Sequence, residues 1–421
     1  MYKRQTYTKS NANSTDLSNY IYISNKSDNS IKNDDINIQD EEFLSEEEYC
    51  SILSFNSHVN QSYKSKSDPY KDLKIISAVK MDFDIESRSS MRSQPLPDKP
   101  YKVLDAPEFE DDFYKQLLHW NQNNNRIAIG LSNSVYIWDS DTQEATFLYE
   151  FPEEENLCSL RWDMFGDKLA FGMGSGEIKI WDVCNNKNIQ SLINHTSRVG
   201  CIDWGNDGLF SGSRDNTIKM TDTRQQNCWV KEFFGHTKQV LNVKCGSFGQ
   251  PMILSSGNDS KLFLYDYRKE YNPVFKGMHE APVRAIGWSP NYRGVFASGG
   301  GTSDQMLKIW DFNNKKLKNQ VFVGSQICDL TFSSLDNEIL LGLGGEKNSI
   351  DVYNLNQLQK VGSLNGHLMR VLNLDFSPDS TQMISASPDE TMRFWEFSRL
   401  TRPRSNSENL ELPEFSCMME I

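Results

Sequence analysis

Four of the six histidines fall on a common beat. His195, His236 and His279 are 41 and 43 residues apart, and His367 follows after 88, two such intervals. A histidine repeated at fixed spacing is either a proton-transfer or metal group, or one member of a repeated buried network. The neighbouring residues favour the network. Tight turns carrying an acid precede the final strand of several units: Ser213-Arg214-Asp215-Asn216, Gly257-Asn258-Asp259-Ser260 and Pro388-Asp389-Glu390-Thr391. A turn Asp can accept from the imidazole, and a strand Trp, Ser or Thr can complete the chain, which satisfies polar groups otherwise costly to bury. The four histidines are therefore read as structural. No Cys/His set has metal-ligand spacing, and no nucleophile–base pair is visible. Gly172-Met173-Gly174-Ser175-Gly176 and Gly342-Leu343-Gly344-Gly345 neither open a helix nor carry the Lys-Ser/Thr that would cradle a phosphate. No catalytic residue, cofactor or metal is expected.

The elements that hold these residues are short strands. From residue 100 apolar and polar residues alternate in brief runs broken by Gly, Asn, Asp and Ser. A recurrent ending runs Tyr-Ile-Trp-Asp (136–139), Lys-Ile-Trp-Asp (179–182), Lys-Met-Thr-Asp (219–222), Phe-Leu-Tyr-Asp (263–266), Lys-Ile-Trp-Asp (308–311), Asp-Val-Tyr-Asn (351–354) and Arg-Phe-Trp-Glu (393–396). Its third residues, from Trp138 to Trp395, are 40 to 45 apart, the period of a WD-repeat propeller. The expected fold is all-β, a seven-bladed WD-repeat β-propeller over 100–398. A segment near 102–120 is expected to seal the ring against the blade ending at Trp395. Residues 399–421 form a C-terminal extension.

Residues 1–99 are rich in Ser, Asn, Asp and Lys and poor in aliphatics, and are expected to be largely disordered. One hydrophobic island, with Phe43, Leu44, Tyr49, Ile52, Leu53 and Phe55, stands in and just after an acidic run. No stretch is long and apolar enough to span a membrane, and the polar start carries no secretory signal. Eight cysteines without a CxxC pair fit a reducing compartment. A formal charge of −13 argues against nucleic acid as a partner.

The residues leading into the repeats are more specific than the repeats themselves. Pro100-Tyr101-Lys102-Val103-Leu104-Asp105-Ala106-Pro107-Glu108-Phe109, then Asp111-Asp112-Phe113-Tyr114, resembles the lead-in to the propeller of the Fizzy and Fizzy-related proteins, the coactivators of the anaphase-promoting complex. Ser197-Arg198-Val199-Gly200, Ala281-Pro282-Val283-Arg284-Ala285-Ile286, Ser298-Gly299-Gly300-Gly301-Thr302-Ser303-Asp304 and Ala386-Ser387-Pro388-Asp389-Glu390-Thr391 extend the likeness over about 100–398. It implies a non-enzymatic adaptor, in nucleus and cytoplasm, that binds ligase subunits through its ends. Its propeller would bind degron-bearing substrates such as cyclins, and checkpoint inhibitors are further implied partners.

The resemblance also implies sites. A KEN-box receptor would comprise Asp112, Phe113, Tyr136, Asn258, Thr302, Gln326 and Arg393. In it Asp112 would meet the degron Lys and Arg393 its Glu, with amide and hydroxyl groups for the rest. A D-box receptor would be the side groove between first and last blades, at Leu104 and Asp105. The alternative for Asp112, Asn258 and Thr302 is ordinary turn capping, and for Arg393 a local pair with Asp389 or Glu390. Ligase docking would use Asn19, Tyr20 and Ile21, in a segment (18–24) like the family's C-box but with Asn for Arg and Tyr22 for Pro. Tyr49, Ile52 and Leu53 match an island of Fizzy-related members. The chain ends Met418-Met419-Glu420-Ile421 where the family has Ile-Arg, and residues 1–99 hold no Ser-Pro or Thr-Pro pair. A degron-binding decoy and a generic scaffold propeller stay open as alternatives.

Overall fold

A computed structural model of the chain describes residues 95–224, 229–246, 248–269 and 272–397. The expectations for 18–24, for the 49–55 island and for 399–421 lie outside these residues. The described chain forms seven four-stranded antiparallel sheets. The first sheet runs Leu118–Trp120, Arg126–Leu131, Ser134–Asp139 and Glu144–Glu150, and is blade 1. The innermost strands of blades 2 to 7 are Leu157–Trp162, Val199–Gly205, Val240–Cys245, Val283–Trp288, Ile327–Phe332 and Asn373–Phe376. Each touches the next, and Asn373–Phe376 returns to Leu118–Trp120, so the sheets form a ring.

Closure comes from the lead-in. Lys102–Asp105 pairs antiparallel with Thr391–Glu396 as the outer strand of blade 7, setting Leu104 opposite Met392 and Asp105 opposite Thr391. The first residues of the fold thus complete its last sheet, and no interior edge is left unpaired at the seam. Burial follows position in a blade. Glu338–Leu343, a second strand, is buried throughout, while the outer strand Glu144–Glu150 exposes most of its residues. Inner strands are packed on both faces by neighbouring blades and so read as continuous apolar runs.

The hairpins between second and third strands place the acids. Asn216, Ser260, Gln305 and Glu390 each follow a turn Asp and take positive φ, from 52° to 71°, a region that β-branched residues avoid. The preceding acids then reach the histidines. The distances from Nδ1 are 2.9 Å for His195–Asp215, 3.0 Å for His236–Asp259, 2.5 Å for His279–Asp304 and 2.9 Å for His367–Asp389. The Nε2 atoms lie 2.7 to 2.9 Å from Ser211, Ser255, Ser298 and Ser385. In two blades an indole completes the chain. Trp310 donates to Ser298 at 2.7 Å, and Trp395 to Ser385 at 2.9 Å.

Burial lowers the pKa of His279 and His367, and outweighs the pull of Asp304 and Asp389. Burial also opposes ionisation of Asp304 and Asp389, but their hydrogen bonds from the histidines and backbone hold both carboxyls below the usual range. At neutral pH each pair is therefore a neutral imidazole donating to a carboxylate. Both shifts act in one direction: on acidification the unfolded chain takes up protons before the folded one. The thermal midpoint should be flat above about pH 7, fall below about pH 6.5, and fall faster through the carboxylate range near 4. A midpoint that stays level from pH 7 to 5 would show that the fold leaves these imidazoles unshifted, and one that rises would show that they are charged in it.

Candidate functional site

The segment after the closing strand crosses one face of the ring and supplies one wall of an open pocket of about 470 Å³. Asp111, Asp112, Phe113 and Tyr114 form that wall. Ala281, Pro282 and Gly301–Ser303 of blade 5, Gln326 of blade 6 and Arg370 of blade 7 form the rest. Asp112 caps its own turn, accepting from the Tyr114 N–H at 2.7 Å, and its other oxygen meets Arg198 at 3.3 Å. Arg370 donates to the Asp111 side chain and, at 3.0 Å, to its carbonyl. Two acids thus stand beside two guanidiniums at the pocket. The Gln326 amide and the Thr302 hydroxyl make no side-chain hydrogen bond among the described residues.

The floor rests on Arg284. This side chain is 1% exposed, and its guanidinium crosses the channel of the propeller from blade 5. It donates to the carbonyls of Cys328 (2.6 Å), Leu372 (2.5 Å) and Lys115 (2.7 Å), tying blades 6 and 7 to the lead-in segment. Phe113 lies over it at 5.7 Å. Below, a cavity of about 270 Å³ is lined by Arg161, Lys244, Asp203, Asp329 and Asp375. Its carboxylates stitch blades together, accepting the N–H groups of Cys245 (to Asp203), Leu374 (to Asp329) and Trp120 (to Asp375) at 2.7 to 2.9 Å. They are engaged in holding the ring, and Arg161 pairs with Asp203 at 2.9 Å.

Of the seven residues assigned to a KEN receptor, four line the pocket: Asp112, Phe113, Thr302 and Gln326. Asn258 is linked to it indirectly. Its N–H donates to the Gln239 carbonyl at 2.9 Å, and the Gln239 amide oxygen accepts from Arg198. Arg393 sits in the last strand of blade 7, where its Nε donates to Thr391 at 3.2 Å and its guanidinium lies against Gly366. It pairs with neither Asp389 nor Glu390 among the described residues. The ring of Tyr136 lies 5.6 Å from that of Phe147. With Leu104, Phe113 and Trp138 it packs against the buried cluster that includes Met392 and Phe394. Tyr136 is not among the residues that line the pocket. Asp111, Tyr114, Arg198 and Arg370 were absent from the sequence-based set. The glycine-rich run at 172–176 serves packing: a Cβ on Gly172 would lie 2.6 Å from the Val199 carbonyl, and Gly176 has φ +95°.

Seven four-stranded sheets closed by the lead-in strand define a WD-repeat propeller. A family profile described as the CDC20/Fizzy WD40 domain matches residues 104–395. The chain belongs to that family, whose members are non-catalytic adaptors, and it is not an enzyme. It is 38% identical to Protein FIZZY-RELATED 1 of Arabidopsis thaliana, over 75% of this chain and 66% of that protein. It is 38% identical to Meiotic fizzy-related protein 1 of Schizosaccharomyces pombe, over 71% of each. With the APC/C activator protein CDH1 of Saccharomyces cerevisiae it shares 36% identity, over 70% of this chain and 52% of that one. A chain from a crystal structure of a mitotic checkpoint complex superposes with a TM-score of 0.69 at 30% identity, covering 81% of this chain and 99% of that chain.

Proposed function

We propose that this chain is a substrate-recognition coactivator of the anaphase-promoting complex, acting in the nucleus and cytoplasm, and that the pocket beside Asp112 takes the Lys-Glu-Asn degron. The observation that carries this is the charge pattern of the pocket. Asp111 and Asp112 each stand against an arginine, so the wall is locally neutral but sharply dipolar. Such a wall suits a ligand that brings a cation and an anion side by side, and gives little to a polycation or a polyanion. Lys-Glu-Asn is such a ligand, with an amide for Gln326 and Thr302. The side groove at Leu104 and Asp105 serves the D-box, with Asp105 for its Arg and the apolar groove walls for its Leu. Residues 19–21, 49, 52 and 53 serve docking on the ligase, and checkpoint proteins are further partners, in keeping with the mitotic checkpoint complex neighbour. The propeller then acts by raising the local concentration of substrate at the ligase. Titration of a Lys-Glu-Asn peptide into the full-length chain tests the pocket. Saturable binding that is weakened when the peptide Lys or Glu becomes Ala is expected, and no binding by the folded chain overturns the assignment.

A further inference from the structure

One loop on the pocket face departs from its counterparts in the other repeats. After the network histidine, three blades continue with Thr196-Ser197, Thr237-Lys238 and Glu280-Ala281, whereas the last continues with Leu368-Met369. Leu368 is 80% exposed and Met369 40%. Neither belongs to a buried cluster of the fold, so their burial contributes little to folding. The loop is nonetheless fixed. The Leu368 N–H donates to Asp389 at 2.9 Å, its carbonyl accepts from Asn348 at 3.0 Å, and the Met369 carbonyl accepts from Ser387 at 3.0 Å.

Its two ends are the informative part. At one end Arg370 is a wall of the pocket, held to Asp111. At the other, Gly366 carries the Arg393 guanidinium against its backbone. The pair Leu368-Met369 therefore stands between the pocket and a guanidinium that has no carboxylate partner among the described residues. A peptide with its Lys at Asp112 and its Glu toward Arg393 lies along this loop, which brings a residue flanking the core within reach of the two side chains. We propose that Leu368 and Met369 form a specificity platform for one apolar side chain flanking the Lys-Glu-Asn core, so that this chain prefers degrons with a Leu, Ile or Met beside the core. The inference rests on the reading of the pocket as the degron site. A rigid loop presents the apolar surface without an ordering cost at binding, and Met adapts its shape to different aliphatic partners.

The test uses the full-length chain and labelled peptides carrying Lys-Glu-Asn in a Gly/Ser frame, with a single Leu moved through the three positions on either side. One placement is expected to bind about tenfold more tightly than the all-polar frame, the gain from burying one aliphatic side chain. Leu368→Ser, at a site too exposed to affect folding, and the double variant with Met369→Ser should remove the difference between the two peptides. Equal affinity for every placement overturns the inference while leaving the degron pocket intact, as does a preference that survives in the double variant. Failure of every peptide to bind overturns both.

Discussion

Arg284→Met is expected to lower the stability of the folded chain by roughly 3–5 kcal/mol, near the top of the range for a single substitution. Methionine matches the length and apolar body of arginine but donates nothing. The carbonyls of Cys328, Leu372 and Lys115, now 2.5 to 2.7 Å from the guanidinium, would lose their donor inside the ring. Each orphaned buried carbonyl costs about 1–3 kcal/mol, and water from the cavity below offsets part of that sum. Arg284→Lys should cost less, about 1–2 kcal/mol, because an ammonium can reach some of the carbonyls but lacks the planar fork. Urea denaturation of the full chain reads both. A methionine variant within about 0.5 kcal/mol of wild type would mean that the carbonyls are held by solvent and the guanidinium is a passenger.

A second substitution separates recognition from stability. In Asp112→Asn the side-chain oxygen still accepts from the Tyr114 N–H, a 2.7 Å contact, so the turn should hold. The pair with Arg198 is partly exposed at 3.3 Å and contributes little to folding. What disappears is the negative charge presented to the degron Lys. A charge-assisted hydrogen bond contributes about 1.5–3 kcal/mol, so the affinity for a Lys-Glu-Asn peptide should fall about 10- to 100-fold. The control is the same variant with a peptide in which Ala replaces the Lys. There the wild type and Asp112→Asn should bind alike, since residues that do not meet show no coupling. An equal loss with both peptides would place the effect of Asp112 on the pocket wall and not on the Lys.

The fold was legible because its physics repeats. Every blade needs an aromatic or substitute at one strand position and a polar turn at another, and both recur at a spacing the eye can measure. The imperfect units kept the beat through other bonds. Thr221, in the place of a Trp, accepts from Asn194 at 2.6 Å, and Tyr265 donates to the Phe234 carbonyl at 3.0 Å. The site was less legible. Asp112, Thr302 and Gln326 came from likeness to a family, and periodicity alone would have left them as turn residues. A usable signal was present: the residue just before the innermost strand faces the pocket side in several repeats, as Arg198, Gln239, Pro282 and Gln326, with Arg370 at the matching place in the last. Reading that register down the chain would have found the two arginines that pair with Asp111 and Asp112. Arg284 was beyond such reading. At its position other repeats carry Cys158, Gly200, Leu241, Cys328 and Leu372, and only closure of the ring shows that a long side chain fills the space these leave.

Substrate ubiquitination is the most direct test of the account. Purified anaphase-promoting complex, the activating and conjugating enzymes and ubiquitin would be incubated with a substrate carrying one Lys-Glu-Asn degron, with and without the full-length chain. The account predicts ubiquitination that depends on the chain, is lost when the degron is changed to three alanines, and is weakened by Asp112→Asn. If the folded chain binds the degron yet adds nothing to the ligase alone, it is a decoy and not a coactivator. If ubiquitination proceeds equally on the altered substrate, the pocket does not read the degron, and the central claim is contradicted.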